Sequence, residues 1–163
     1  MKALRAAALA AVALLAACGG PEGRDADTGY RNPAVTLAGT TRFDAARFAG
    51  DWRALACLGP GATRERYALT PDGRLLREAD GTVRAFRMTG HGVLRAGEGA
   101  EAAQTLVVMW VDDGFRTAVL GDAEGRWAAI LNRGAEAPDR TAAAREILDF
   151  NGWDLARLRR IEG

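Results

Sequence analysis

Between positions 52 and 133 the apolar residues follow a period of two, in short runs broken about every ten residues by glycine, aspartate or proline. A period of two is the mark of a strand with one covered face. The runs predict strands over 52–58, 64–70, 74–78, 82–88, 92–95, 105–111, 115–120 and 126–133. The separators are hairpin formers: Pro71-Asp72-Gly73, Asp80-Gly81, Gly90, Gly97 to Gly99, Asp112-Asp113-Gly114 and Gly121 to Gly125. Eight short antiparallel strands joined in sequence make an all-β, up-and-down sheet, and eight is the number at which such a sheet closes around a small interior. An open sheet or a sandwich with exposed edges is the competing arrangement.

After Arg133 the period changes to that of a helix. Pro138 and Asp139 start it, and Asn151-Gly152 end it after Phe150. Ala144, Ile147, Leu148 and Asn151 share one face, so a single C-terminal helix is expected to pack outside the barrel wall. Trp153, Leu155, Leu158 and Ile161 then suggest a last strand-like arm. Ahead of the first strand, Asp44 to Arg47 has room for one helical turn bracketed by Phe43 and Phe48.

The N-terminus reads differently. Lys2 and Arg5 precede an apolar stretch, Ala6 to Ala17, too short to span a bilayer, which is the form of an export signal. It stops at Leu15-Ala16-Ala17-Cys18, which resembles the bacterial lipobox and makes Cys18 the expected site of diacylglycerol attachment. Gly19 rather than aspartate after that cysteine implies, by resemblance to Gram-negative sorting patterns, an outer-membrane destination with the domain on the periplasmic side. The expected division is a signal over 1–17, a lipidated flexible tether over 18–41 and a barrel domain over 42–163. The tether has no apolar period, although Val35 and Leu37 are placed to touch the domain.

Two motifs mark the ends of the barrel. Phe48-Ala49-Gly50-Asp51-Trp52 puts a glycine two positions before a tryptophan that opens the first strand. The last strand closes with an arginine, Arg133, placed to stack on Trp52. This pair resembles the signature of the lipocalin family in its bacterial lipoprotein branch, over roughly residues 43 to 161. Gly50, Trp52 and Arg133 are then its structural signature. The resemblance implies a lipocalin-like barrel whose arginine also meets backbone carbonyls where the chain enters. The chain lacks the family's Thr-Asp-Tyr motif; Thr117-Ala118-Val119 stands nearest to that place.

Composition adds mainly exclusions. The 163 residues suit one domain. Without residues 1–17, 20 arginines face 21 acidic groups, and so near-neutral a chain has no field to draw nucleic acid. The one histidine, His91, sits in a Gly90-His91-Gly92 turn. Cys57 is a lone thiol once Cys18 is acylated, and strict alternation turns it away from Trp52 towards the helix. Asp112-Asp113 lies in a turn where aspartate is common. Metal-ligand spacings, phosphate-binding loops and nucleophile elbows are absent, so neither cofactor nor catalytic residue is expected and the chain is read as no enzyme.

The interior remains. In phase with Trp52 are Ala54 and Ala56, which leave room, while Tyr67, Phe86, Met88, Val108 and Trp110 supply walls. These seven residues are the expected lining for a small lipophilic ligand, a fatty acid or lysophospholipid. The alternative is an envelope interaction protein with a filled barrel and a protein partner.

Overall fold

The computed structural model describes residues 29–97 and 103–162. The chain forms a helical turn α1 (Ala45–Phe48), then strands β1 (Gly50–Leu58), β2 (Arg64–Leu69), β3 (Leu75–Ala79), β4 (Thr82–Gly90), β5 (Val93–Ala96), β6 (Gln104–Val111), β7 (Thr117–Asp122) and β8 (Ala128–Asn132). Helix α2 (Pro138–Phe150), a 3-10 turn (Leu155–Arg157) and a two-residue strand β9 (Arg159–Arg160) follow. All eight predicted strands are present, with ends displaced by at most two residues.

Each strand pairs antiparallel with the next, and β1 pairs with both β8 and β2, so the sheet closes into an up-and-down barrel. The β2 contact uses only Gly50 to Arg53 of β1. The same edge continues as a partner for β9, through Ala56–Arg160 and Cys57–Arg159. The expected strand-like arm therefore forms only at its end.

Two clusters divide the apolar residues. The interior one runs around the barrel through Trp52, Ala54, Tyr67, Leu75, Phe86, Leu94, Leu106, Val108, Leu120 and Leu131. The outer one joins Leu55, Ala56, Val107, Met109, Val119 and Ile130 to Ala144 and Leu148 of α2 and to Trp153. Ala144 and Leu148 are four apart, one turn of helix, and both are fully buried. Proline in the first turn and Gly152 at φ 82° bound α2, as the sequence predicts.

Two bulges set which residues face which cluster. The β1–β8 register slips between Ala54 and Ala56, and the β6–β7 register slips between Val108 and Trp110. Each inserts one residue, so two consecutive side chains point the same way. Ala56 and Trp110, expected in the lining, therefore lie in the outer cluster. Cys57 returns to the inward phase: it pairs with Ala129, which belongs to the interior, and is not turned towards the helix.

The segment to Thr41 also departs from expectation. From residue 29 it is strapped along the barrel. Tyr30 N–H donates to the Gly125 carbonyl, Asn32 N–H to Gly152, and Thr40 N–H to Val108. Arg31 bridges to Trp153 and donates to the Asn151 carbonyl, and Leu37 joins the outer cluster. These backbone bonds hold what composition reads as tether. Cys18 and the signal lie outside the described residues.

Candidate functional site

One end of the barrel is closed. Asp44 caps α1 by accepting from the Arg47 N–H, which aims Phe48 into the bore. The Phe48 ring lies 4.8 Å from both Trp52 and Tyr67 and 5.3 Å from Phe43, measured between centroids. Trp52 Nε1 donates to the Phe48 carbonyl at 2.8 Å. Arg133 covers the group from outside, its guanidinium carbon 3.7 Å from the Trp52 ring centroid. Its two amino nitrogens donate to the Phe48, Ala49 and Arg47 carbonyls. Gly50, at φ 120°, lets the chain pass under that guanidinium; a Cβ there would meet Nη1 at 3.5 Å.

Above this plug Leu75, Phe86, Leu94, Leu106, Val108 and Leu120 have no exposed surface. The middle of the bore is filled by its own side chains.

The open half has a different chemistry. Glu65, Tyr67 and Arg77 share the inward register of β2 and β3. Arg77 donates to both Glu65 oxygens, at 2.8 and 2.7 Å, and the Tyr67 hydroxyl donates to Oε2 at 2.5 Å. The Glu65 side chain is 1% exposed and that of Arg77 15%. The Arg77 guanidinium carbon sits 4.8 Å from the Trp127 ring centroid. Since β1 and β2 separate β3 from β8 around the wall, this contact crosses the bore. Burial, aided by the Glu65 charge, drives the Tyr67 phenol well above its ordinary pKa. Burial also works against the Arg77 cation, but its bonds and charges with Glu65 and Tyr67 outweigh that and hold it above its usual value.

Towards the rim, Thr82 and Arg84 continue the inward phase of Phe86 and are exposed. Arg84 stands directly opposite Arg77 on β3 and has no ion-pair partner among the described residues. On β2 to β4 two arginines therefore face the mouth against one carboxylate, Glu65, while across the bore Asp122, in phase with Leu120, is bonded by Arg126. A pocket of about 460 Å³ lies in the wall beside the group, between Arg133 at the base and Asp80, and its lining mixes Arg53, Arg64 and Arg66 with Asp51, Glu65 and Glu78.

Of the seven expected lining residues, Ala54, Tyr67, Phe86 and Val108 face the interior. Met88 has the inward register, opposite Leu94, but lies beyond the filled section at the closed end and is 45% exposed. Gly50, Trp52 and Arg133 come together as expected. Glu65, Arg77, Arg84 and Trp127 face the open half without being among the expected lining residues. Their signal is a charged residue in phase with apolar neighbours: Glu65 two before Tyr67, Arg77 two after Leu75, Arg84 two before Phe86.

The chain matches no protein-family model and no curated protein sequence at a significant level. Solved structures do match. Apocrustacyanin C1 is similar over 72% of this chain and 78% of its own, with TM-score 0.52 and 18% identity. Per a 4, a major allergen from cockroaches, is similar over 80% of this chain and 96% of its own, with TM-score 0.57 and 11% identity. At these identities the likeness is one of fold: a lipocalin-like closed barrel of eight antiparallel strands, with one extra strand and a C-terminal helix packed outside.

Proposed function

We propose that the protein is a lipid-anchored lipocalin-like binding protein of the cell envelope, rather than an enzyme. Its ligand is a small lipophilic molecule with an anionic head, of the fatty acid or lysophospholipid class. The barrel holds that ligand at its open end for storage or transport. The observation that carries this reading is the Glu65–Arg77–Tyr67 group under Trp127, with Arg84 beside it. A buried ion pair contributes little net stability compared with apolar residues of the same volume, so the fold has no need of it there. As a recognition device it suits a head group, with Trp127 and the rim offering apolar contact. Cys18, acylated, holds the domain at the outer membrane, facing the periplasm. Two or three acyl chains, at about 0.8 kcal/mol per buried CH₂, make a lasting anchor.

Native mass spectrometry of the whole chain tests the reading, with mixed fatty acids and lysophospholipids supplied. A lipid adduct lost in Arg84→Glu and weakened in Trp127→Ala is expected. A clean apo mass under every condition would overturn it. One observation favours a second reading, an envelope interaction protein with a filled barrel: the absence of any exposed surface on Leu75, Phe86, Leu94 and Leu106. A clean apo mass would put that reading first.

A further inference from the structure

The strap of residues 29–41 fixes the end of the barrel at which the chain arrives. Loops 59–63, 80–81 and 123–127 lie at the open end, and 70–74, 91–92 and 112–116 at the end closed by α1, as the strand registers require. Gly29 packs on Gly125, where a Cβ would lie 2.8 Å from the Gly125 carbonyl oxygen, and the Tyr30 N–H donates to that same oxygen at 2.7 Å. From there the strap descends past Gly152 to Thr40, which is bonded to Val108 near the closed end. The described chain therefore begins at the open rim.

We infer that the open rim of the barrel faces the lipid surface to which the chain is anchored. This rests on the reading of Cys18 as the acylated residue. Ten residues, 19–28, separate Cys18 from Gly29. A glycine-containing coil of that length has a root-mean-square span of about 17 Å and a limit of about 35 Å when fully extended. The nine residues of β1, tilted as barrel strands are, rise about 20–25 Å. To set the closed end on the membrane, the tether must run back down the barrel's length and stretch beyond its relaxed span. To set the rim there, it stays near its relaxed span.

The rim suits a head-group layer. Its exposed residues include Thr63, Asp80, Thr82, Glu124 and Arg126, polar and of both signs. The partner is a phospholipid head-group surface on which the rim rests without entering the hydrocarbon. A lipophilic ligand then moves between leaflet and mouth without crossing bulk water.

Collisional quenching on vesicles tests the orientation. The full-length, cell-acylated protein is reconstituted in phosphatidylcholine–phosphatidylglycerol vesicles containing lipids with a nitroxide on the head group. A fluorophore is attached at Thr82→Cys on the rim or at Asp72→Cys at the closed end. Cys57, 1% exposed, is left in place. Quenching several-fold stronger at position 82 than at 72 is expected, and a thirty-residue Gly/Ser insertion after Gly23 should abolish the difference. Equal or reversed quenching on acylated protein overturns this inference alone. A difference that survives the insertion overturns the tether as its cause. Protein whose mass lacks acyl chains removes the anchoring reading and this inference with it.

Discussion

Arg133 holds Trp52 in place without a carboxylate in contact. Its guanidinium lies flat over the indole at 3.7 Å, and its amino groups bond three successive carbonyls, those of Arg47, Phe48 and Ala49. Burial lowers its pKa, with the charges of Asp51 and Asp112 opposing at a distance. Its Nε is buried and makes no hydrogen bond. The arginine thus joins the end of β8 to the end of α1 across the start of β1. It closes the barrel's base by geometry and by the face of an aromatic ring.

Truncation at this base should be expensive. Trp52→Ala is expected to destabilise by about 3–5 kcal/mol, as buried aromatic truncations do. Arg133→Lys keeps the charge but loses the planar fork, and is expected to cost about 1–3 kcal/mol through carbonyls left unbonded. Urea unfolding checks both, and unchanged midpoints would refute the plug.

The Glu65–Arg77 pair gives a sharper contrast. Glu65→Ala leaves a buried guanidinium uncompensated and should cost about 3–5 kcal/mol. Replacing both, Glu65→Leu with Arg77→Leu, should restore the loss or exceed it. In a double-mutant cycle built from Glu65→Leu, Arg77→Leu and the two combined, a double variant as unstable as the sum of those singles would contradict the pair.

Stability should fall at both extremes of pH. The Asp112 carboxylate opposes its own burial by accepting from the N–H groups of Gly114, Arg116 and Thr117, which leaves its pKa lowered. Its contribution is present above the unfolded carboxylate value of about 3.9 and is lost as pH falls through the folded value. The raised pKa of Tyr67 acts in the other direction: its contribution is present below about pH 10 and disappears as pH rises. Thermal melts against pH should show Asp112→Asn flattening the acid limb and Tyr67→Phe flattening the alkaline limb. Limbs unmoved by either variant would refute the assignments.

Gly121 is small because Trp153 lies on it. A Cβ there would come within 2.6 Å of Trp153 Cζ2 and 3.1 Å of the Ala128 Cβ. Gly121→Val should destabilise by about 1–3 kcal/mol, the range for overpacking, and shift the tryptophan fluorescence. Gly73→Ala, whose Cβ meets nothing, reports only the strain of a positive φ. Equal effects would show that the contact with Trp153 is unimportant.

Strand number, strand order and the outer helix were legible because each rests on local chemistry. Turn residues stop a strand wherever they occur, and alternation needs only neighbouring positions. The pairing of Trp52 with Arg133 was legible too, since adjacent first and last strands bring those ends together. Lining assignments failed at Ala56 and Trp110 for one reason. A bulge inserts a single residue, carries no distinctive residue type here, and inverts every assignment beyond it.

The interior charges were hidden for another reason. A glutamate and an arginine on short strands look like solvent-facing positions until the barrel closes and sets them against each other. The strap of residues 29–41 has too little apolar character to signal order, and its backbone bonds to Gly125, Gly152 and Val108 exist only once those segments stand side by side. Local pattern therefore determined eight antiparallel strands in sequence, a Trp52–Arg133 pair at their ends and an outer helix, while closure came from the pairing of β1 with both β8 and β2. Tertiary structure decided which faces turn inward, what fills the bore, and at which end the chain arrives. Those depend on register and on contacts between residues distant in the chain, which no local period encodes.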